Sequence, residues 1–568
     1  MSREKPTANA PRLAGNSLKV VAGVVDTRLL GDIILSTMLE QAGVNWLRDM
    51  FPKAPLPVKS QIMLGKNDQG GLSARPGAEQ LCSKVSSTIS GKSSKKPKFS
   101  MISDIVSAYR NGITGPVDLA QRLIENLKKA DSMEPVLGAV TSWKETDILA
   151  QASASAERLK AGRPRSVLDG VPLVVKEELD VAGFPTTVGT SFLGKEPALE
   201  DAVTVARLRR AGAVILGKSN MHEIGMGVTG LNPHHKSARN PYDVSRATGG
   251  SSSGSASAVA SGLCPVAIGA DGGGSIRIPS ALCGVVGLKP TFGRVSEKGA
   301  APLCWSVAHI GPLAWNTIDA ACVYAAIAGP DPGDPNSMEQ PAPSLSRLLS
   351  GIGISRVRLG LCSSWLDRSS NDVRMRCEET IQALANQGAD IVQIDEPVDL
   401  DLVLTTHLVT IVSEMAAAHA QYYNEHKADY SPETRLNLAL ARRLTAVDYI
   451  QAQRHRVEIS RAVMSLFDEI DALLMPSTAI TAPRLARDSL KTGESNLDVT
   501  KEIMKFSPLA NLTGLPAISF PAGYDVNSMP IGLQAIGKPW SEDLLLTIAM
   551  EAEKVQKRRL PGVRFNLL

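Results

Sequence analysis

Apolar residues near the start of the chain recur at helical spacing. Positions three or four apart share one face of a helix, and two successive series have this spacing: Leu18, Val21, Val25 and Leu29, then Leu30, Ile33, Ile34 and Met38. The segment from about Asn16 to Met50 therefore predicts two short amphipathic helices. Two interpretations stay open: packing onto the main domain, or a membrane-surface or substrate-entry element with Lys19 and Arg28 facing lipid head groups.

Further along, short apolar runs alternate with helical patterns. The runs predict strands at 171–175, 213–217, 265–269, 357–361, 472–475 and 517–520. The helical patterns lie at 202–211, 371–387, 446–467 and 541–555. This alternation is typical of a sheet covered by helices, so we predict one large α/β domain rather than several.

A polar segment separates the amphipathic start from this α/β pattern. Residues 69–99 are rich in Gly, Ser and Lys and end in the run Ser90–Lys98, a composition typical of a solvated linker. We predict three parts: an amphipathic helical extension at 1–68, a flexible linker at 69–99 and the main domain at 100–568. The overall composition, 43% hydrophobic and 21% charged, excludes a disordered chain.

Positive charge is concentrated at the front of the chain. Residues 1–100 carry 15 Lys and Arg against 7 Asp and Glu, whereas the remainder carries 46 against 50. A basic front suits an anionic lipid surface. Because the sequence has no basic stripe, zinc signature or aromatic RNA-binding motif, we expect no nucleic-acid partner.

The seven cysteines predict reduced, buried thiols. They are odd in number, widely spaced and without a C-x-x-C pair: Cys82, Cys264, Cys283, Cys304, Cys322, Cys362 and Cys377. No His, Cys, Asp or Glu spacing typical of a metal site occurs. We expect no cleavable signal, and no membrane span in 18–39 because four charged residues interrupt that apolar stretch.

Two clusters of small residues carry the chemical signal. The first is Gly249–Ser255, and the second is Asp271–Pro279. Glycines allow close approach of the backbone to a ligand, and successive N–H groups can bind an anion. A serine in such a loop is a candidate nucleophile, although phosphate-binding loops offer similar ingredients and neither cluster has the Walker spacing.

A serine nucleophile needs a base. None of the eight histidines lies in a G-x-S-x-G context, and we interpret each as a surface or packing residue: His222, His234, His235, His309, His407, His419, His426 and His455. Lys176 ends the apolar run 171–175, and a buried lysine can act as a neutral base. On spacing alone, a solvated lysine at a strand end remains the alternative.

Residues 249–291 resemble the signature of the amidase signature family of serine hydrolases. Similarity extends over about residues 100–560, with further matching segments at 170–180, 215–223, 239–243, 515–521 and 532–534. The resemblance implies the amidase signature fold, an α/β fold in which helices cover both faces of a large mixed sheet.

The same resemblance implies a Ser-Ser-Lys triad that needs no cofactor or metal. Ser275 matches the nucleophile, Ser251 the bridging serine and Lys176 the base. The peptide between Gly250 and Ser251 matches one that is cis in the family.

The resemblance also assigns the surrounding loop. The backbone N–H groups of four residues match the oxyanion hole: Gly272, Gly273, Gly274 and Ser275. Asp271 and Arg277 flank the nucleophile, and we expect them to brace the loop rather than react. The chain departs from the usual pattern at three positions, without losing a triad member: Ser253 for Gly, Glu177 for Asp and Gly272 for Thr.

Within the family, the chain resembles the plant-type fatty acid amide hydrolases, which cleave N-acylethanolamines to a fatty acid and ethanolamine. The resemblance rests on an N-terminal extension of about 100 residues and on segments 221–230, 249–255, 271–275 and 493–500. It implies a fatty acyl amide substrate, an extension that caps the acyl channel and binds a membrane surface, and a homodimer. The implied location is the cytoplasmic side of the endoplasmic reticulum or plasma membrane.

Two other functions remain open. A small-amide or amidotransferase-type amidase shares the triad but needs no apolar cap and prefers a polar acyl pocket. A non-catalytic membrane-bound scaffold on the same fold is the second alternative, and the presence of Lys176, Ser251 and Ser275 argues against it.

Overall fold

The computed structural model describes residues 10–27, 29–52 and 101–568. The predicted linker at 69–99, residues 1–9 and 53–68 of the extension, Arg28 and Cys82 lie outside the described residues. The boundaries at 68 and 99 therefore stay predictions.

One mixed sheet forms the centre of the described chain. The strands are β1 (Leu13–Ala14), β2 (Val140–Trp143), β3 (Pro172–Lys176), β4 (Val214–Ser219), β5 (Val266–Ala270), β6 (Val286–Lys289), β7 (Ile310–Ala314), β8 (Arg358–Leu361), β9 (Asp390–Gln393), β10 (Ala472–Pro476), β11 (Glu494–Ser495), β12 (Ala517–Tyr524) and β13 (Pro530–Gly537). Eleven of them pair in the order β2-β4-β3-β5-β7-β6-β12-β13-β10-β8-β9, and β1 pairs with β11 separately.

Helices pack on this sheet and on one another. They are α1 (Gly15–Val24), α2 (Leu30–Gln41), α3 (Val44–Arg48), α4 (Ile102–Arg110), α5 (Pro116–Asp131), α6 (Glu145–Lys160), α7 (Val203–Arg210), α8 (Ser253–Ala260), α9 (Arg277–Leu282), α10 (Thr317–Ile327), α11 (Ser346–Ser350), α12 (Ser363–Leu366), α13 (Asn371–Asn386), α14 (Leu400–Ala418), α15 (Ala420–His426), α16 (Pro432–Ala441), α17 (Ala446–Leu466), α18 (Leu497–Met504), α19 (Pro508–Thr513) and α20 (Glu542–Val555). Short 3₁₀ turns lie at Glu223–Gly225, Pro335–Ser337 and Ser489–Lys491.

The predicted α/β class is confirmed. The six predicted strands occur as β3, β4, β5, β8, β10 and β12, and the four predicted helices as α7, α13, α17 and α20. Strand β3 is buried along its whole length, which explains its continuous apolar sequence: a strand covered on both faces has no reason to alternate.

Strand direction decides where the chemical residues meet. Strand β3 runs parallel to β5, with Val175 opposite Ile268. Parallel neighbours end at the same edge of a sheet. Lys176, the last residue of β3, therefore lies beside the end of β5, where the loop that begins at Asp271 leaves the sheet.

The helix α14 is long and apolar enough to cross a membrane, judged by length and composition. Half of its most apolar window is buried within the fold, and it packs against α16, α17 and α19. Its buried residues include His407 and Glu414, whose contacts are described below. These contacts identify α14 as a core helix of the domain.

Both predicted N-terminal helices are present, as α1 and α2, and one face of the pair packs on the domain. Leu18 and Leu35 are buried against Leu436 of α16. Leu39 belongs to a second buried cluster that includes Val409 of α14. The packing interpretation therefore holds for this face.

The predicted apolar series of α2 is buried in part, since Ile34 and Met38 pack on the cluster of Leu18, Leu35 and Leu436. Leu30 and Ile33 are exposed by 57% and 59%, as is Leu29 in the preceding turn by 74%. The most buried residues of α2 are Gly31, Leu35 and Leu39. Gly31 lies so close to Val25 that a Cβ there would overlap the Val25 carbonyl oxygen. An exposed apolar ridge of Leu29, Leu30 and Ile33 remains.

Ion pairs and a short strand fix the extension to the domain. Strand β1 pairs antiparallel with β11. Arg12 contacts Asp488 at 2.8 Å and Glu494 at 2.5 Å. Asp26 contacts Arg435 at 2.9 Å.

The prediction of reduced, buried thiols is confirmed for the six described cysteines. All six are free and buried: Cys264, Cys283, Cys304, Cys322, Cys362 and Cys377. Cys82 lies outside the described residues.

Candidate active site

Lys176 is 1% exposed at the end of β3. Its Nζ donates to Ser251 Oγ at 2.8 Å and to the Ala270 carbonyl at 3.2 Å. It also lies 3.0 Å from Glu178 Oε2. The alternative of a solvated lysine is therefore excluded, and Lys176 and Ser251 are brought into direct contact across 75 residues of sequence.

Ser251 lies just before α8 and is buried. The peptide that joins it to Gly250 is cis, as the resemblance implies. The Ser251 carbonyl accepts a hydrogen bond from the backbone N–H of His222 at 3.1 Å. Its hydroxyl is thereby presented to Lys176 from a fixed backbone.

Ser275 lies in the loop after β5 and is half-buried. Its carbonyl accepts a hydrogen bond from the N–H of Ser252 at 3.2 Å. The loop that carries Ser275 and the loop that carries Ser251 are therefore joined through their backbones.

Asp271 and Arg277 form a fully buried ion pair beneath the Ser275 loop. Arg277 Nε lies 3.0 Å from Asp271 Oδ2, and Asp271 also accepts N–H bonds from Gly274 at 2.6 Å and Ile276 at 3.1 Å. Burial alone would raise the pKa of Asp271, but the charge and hydrogen bonds of Arg277 hold that pKa well below its ordinary value. Asp271 is therefore an anion that shapes the loop.

The remaining donors of Arg277 extend the brace to distant elements. They reach the Ser507 carbonyl at 2.8 Å, Gln534 Oε1 at 3.0 Å and Asn511 Oδ1 at 2.6 Å. Neither the Asp271 nor the Arg277 side chain is exposed. Their contacts therefore hold the Ser275 loop in place.

The four amides assigned to the oxyanion hole differ in their hydrogen bonds. The N–H of Gly274 is engaged by Asp271. Within the described ranges, no protein acceptor binds the N–H groups of Gly272, Gly273 or Ser275. These three amides are therefore the ones open to a ligand oxygen.

Two side chains that sequence reasoning missed hold the carbonyl side of this loop. His407 Nε2–H donates to the Gly272 carbonyl at 2.8 Å, and Ser507 Oγ–H donates to the Gly273 carbonyl at 2.7 Å. Burial lowers the pKa of His407 to about 4, so its ring is neutral at pH 7. In a trans peptide the N–H points away from the carbonyl of the preceding residue. The N–H of Gly273 therefore points away from His407, whereas the N–H opposite the Gly273 carbonyl is that of Gly274, which Asp271 engages.

Glu178 also went unnoticed in the sequence. It lies in the turn that follows β3, which the N–H of Leu179 closes by donating to the Lys176 carbonyl at 3.0 Å. His407 and Ser507 had no local signal, because they lie 135 and 234 residues from their partners.

Apolar side chains surround both serine loops. A Cβ on Gly225 would lie 3.3 Å from Leu303 and 3.6 Å from Ser251 Oγ. A Cβ on Gly272 would lie 2.6 Å from Cys304 Sγ and 3.2 Å from Ile411. These apolar residues belong to one cluster with others that include Ile224, Met226, Val307 and Met415.

The three departures from the family pattern have local explanations. Gly272 is required because Cys304 occupies the space of a side chain. Glu177 accepts hydrogen bonds from Thr141 at 2.5 Å and Thr187 at 2.8 Å. Ser253 Oγ donates to the Asn220 carbonyl at 3.3 Å.

No metal centre is found in the part of the chain that the structure describes, since no three His, Cys, Asp or Glu side chains there are grouped to hold an ion.

Comparison with known proteins decides the family. A family model described as Amidase matches residues 122–546. The chain belongs to the amidase signature family. Relatives span its full length: a fatty acid amide hydrolase of Oryza sativa subsp. japonica is 36% identical over 100% of this chain and 96% of its own, and one of Arabidopsis thaliana is 35% identical over 99% and 96%. The resemblance to the plant-type hydrolases is confirmed.

Other amidase signature proteins match a smaller share of the chain. One component of the glutamyl-tRNA(Gln) amidotransferase of Cyanothece is 34% identical over 75% of this chain and 92% of its own. The native peptide amidase from Stenotrophomonas maltophilia has a TM-score of 0.70 and 29% identity, covering 81% of this chain and 98% of its own. This amidase signature protein is therefore an amide-hydrolysing enzyme.

Proposed function

We propose that this enzyme hydrolyses fatty acid amides, chiefly N-acylethanolamines, to a free fatty acid and ethanolamine. The observation that carries the proposal is the apolar cluster of Leu303, Cys304, Ile411 and Met415, which lies against both serine loops. A hydrocarbon chain gains free energy when it leaves water for such surroundings, at about 0.8 kcal/mol for each buried CH₂.

The proposed reaction begins with two proton transfers. Neutral Lys176 takes the proton of Ser251, and Ser251 takes the proton of Ser275 as Ser275 Oγ attacks the amide carbon. The N–H groups of Gly272, Gly273 and Ser275 would stabilise the oxyanion that forms. Each such donor typically contributes about 3 kcal/mol to the transition state.

Collapse of the tetrahedral intermediate needs the protons to return. Ser251 gives its proton to the leaving nitrogen and regains one from the Lys176 ammonium, so ethanolamine departs as an amine. Water then attacks the acyl ester on Ser275 by the same proton route and releases the fatty acid.

The proposal favours the lipid substrate over the small-amide or amidotransferase-type alternative. The extension packs on α14, which carries Ile411 and Met415 beside the serine loops. A small polar amide needs neither this cover nor an apolar surround. The non-catalytic scaffold is disfavoured by the Lys176–Ser251 contact, which such a protein has no reason to keep.

We also propose that the extension binds a membrane surface on the cytoplasmic side, at the endoplasmic reticulum or plasma membrane. Support comes from the exposed apolar ridge of Leu29, Leu30 and Ile33 and from the basic front of the chain. A homodimer is proposed as well, supported by the full-length similarity to the plant relatives alone.

Hydrolysis of N-acylethanolamines from short to long acyl chains by purified protein tests the proposal, with Ser275→Ala as the blank. We expect a rate that rises with chain length and is lost in the variant. Activity limited to short or polar amides would overturn the lipid substrate and keep the triad. Absence of any Ser275-dependent hydrolysis would favour the scaffold.

A further inference from the structure

The Nζ atom of Lys176 has three polar neighbours. They are Ser251 Oγ, the Ala270 carbonyl and Glu178 Oε2. Nζ donates to Ser251 Oγ at 2.8 Å and to the Ala270 carbonyl at 3.2 Å, whereas Glu178 Oε2 lies 3.0 Å away as an ion-pair partner without hydrogen-bond geometry. Glu178 therefore acts on the lysine through its charge.

Glu178 is committed to this contact. Its side chain is buried, and within the described chain its Oε2 has no hydrogen-bond partner apart from the ion pair with Lys176. The adjacent Glu177 is buried as well but turns to Thr141 and Thr187. Two neighbouring glutamates therefore share burial and differ in whether they touch the lysine.

We propose that Glu178 is a positioning residue for the base Lys176. Its carboxylate acts on Nζ through its charge, while the Ala270 carbonyl accepts one N–H of the amine. When the proton of Ser251 arrives on Nζ, the anion 3.0 Å away stabilises the ammonium that forms. The inference rests on the Ser-Ser-Lys triad of the proposed function.

The charge balance of the step needs no further reactant. One proton moves from Ser275 to Ser251 and one from Ser251 to Lys176, while the Ser275 oxygen forms its bond to the amide carbon. Glu178 keeps its charge throughout.

Other titratable groups lie near the Lys176–Glu178 pair on neighbouring elements. On the strand side they are Glu177, Asp180 and Lys218, and on the side of the 297–304 segment and α14 they are Glu297, Cys304 and Glu414. Glu414 is occupied by Ser306 and Tyr449, and Lys218 donates to the Leu179 carbonyl and Thr186. Glu178 is the carboxylate that contacts Nζ itself.

Glu178→Gln removes the charge and keeps the shape. Without the anion, the Lys176 ammonium is less stable, so the neutral, active lysine forms at lower pH. An opposite charge at this distance typically moves such an ionisation by about one to three pH units. We expect the acid limb of the pH–rate profile, where the rate rises with pH, to shift to lower pH by about one pH unit or more. The plateau rate should also fall. Loss of packing alone would lower the rate and leave the limb in place.

The test is the rate at which a fluorophosphonate labels Ser275 in the full chain between pH 5 and pH 10, since labelling does not depend on the natural substrate. Four proteins are compared: wild type, Glu178→Gln, Glu178→Asp and Glu177→Gln. Glu178→Asp keeps the charge at a greater distance, so its limb should move less than that of Glu178→Gln, and it serves if Glu178→Gln does not fold. Glu177→Gln should keep the wild-type limb.

The outcomes separate this inference from the proposed function. Two outcomes overturn the role of Glu178 and keep the triad. In the first, the acid limb of the pH–labelling profile stays in place in both Glu178 variants. In the second, it shifts by the same amount in Glu177→Gln. Absence of Ser275 labelling in the wild type overturns the triad and this inference together. Labelling with the expected shift, but without hydrolysis of N-acylethanolamines, supports Glu178 and overturns only the lipid substrate.

Discussion

At the scale of single residues, Gly272 shows how one missing side chain shapes the site. A Cβ on Gly272 would lie 2.6 Å from Cys304 Sγ, so the cysteine occupies the space that a side chain would need. A methyl group there must push either the loop or the cysteine, and the loop carries amides whose alignment the reaction needs.

We expect Gly272→Ala to lower kcat about 100-fold, since a displacement of about 1 Å has that effect on an aligned site. Adding Cys304→Ala should restore much of the rate by making room for the methyl group. Gly23→Ala, where nothing lies within 4 Å of the new Cβ, is the control. A double variant as slow as Gly272→Ala would contradict the steric explanation.

His407 links stability to pH through its burial. Burial lowers the pKa of His407 from 6.5 to about 4. Between these pH values the His407 side chain is protonated in the unfolded chain and neutral in the folded protein. Stability therefore rises with pH across this window and is lost as pH falls through it. The contribution amounts to about 3 kcal/mol between pH 7 and pH 4.

We predict that His407→Gln, which can still donate to the Gly272 carbonyl, loses less stability than the wild type between pH 7 and pH 4. Denaturant unfolding at both values measures the difference. Ser507→Ala removes the neighbouring bond to Gly273 without a titratable group, so its effect should be independent of pH. Equal losses in the wild type and His407→Gln would contradict the prediction.

At the scale of elements, α2 has one packed face and one exposed apolar face. One face packs through Leu35 and Leu39. The other continues the exposed ridge of Leu29, Leu30 and Ile33. Exposed apolar side chains in a row are a cost in water unless a lipid surface or partner covers them.

We expect Leu29→Glu combined with Ile33→Glu to abolish flotation of the protein with vesicles of phosphatidylserine and phosphatidylcholine. Hydrolysis of a short, water-soluble N-acylethanolamine should be unchanged, because neither residue lies among those that contact the serine loops. Leu199→Glu is the matched control, since Leu199 is equally apolar and highly exposed outside the extension. Equal flotation of all three proteins would exclude the ridge as the membrane contact.

At the scale of the whole molecule, the extension and the active site belong to one connected structure. Strand β1 pairs with β11, where the N–H of Glu494 donates to Glu433 Oε2 at 2.8 Å. Glu433 Oε1 lies 3.3 Å from His222 Nε2, and the backbone of His222 holds the Ser251 carbonyl. Four contacts thus lead from the start of the described chain to the bridging serine.

We predict that Leu18→Ala lowers the thermal midpoint of the whole protein, since deleting buried methyl groups of a leucine costs about 2–5 kcal/mol. Val20→Ala, on the exposed face of the same helix, should leave the midpoint unchanged. Circular dichroism during heating measures both. An unchanged midpoint in Leu18→Ala would mean that the extension unfolds separately from the domain.

Much of this protein was determined by its sequence alone. The continuous apolar runs of β3 and β5 predict buried strands because a strand covered on both faces needs no polar positions. Periodicity predicted α1 and α2, and the long signature at 249–291 indicated the family. Local patterns carried each of these predictions, so no distant contact was needed.

The tertiary structure decided what lies around those patterns. Whether Lys176 is solvated or buried depended on the parallel pairing of β3 with β5, which places its Nζ beside Ser251 and Ala270. His407 and Ser507 reach the Ser275 loop only because α14 and the segment before α19 fold back onto it. Which apolar residues of α2 are buried depended on its packing against α16, where Leu35 and Leu436 share one cluster. Burial and hydrogen bonding depend on the whole fold, and a sequence pattern records them only when both partners lie close together in the chain.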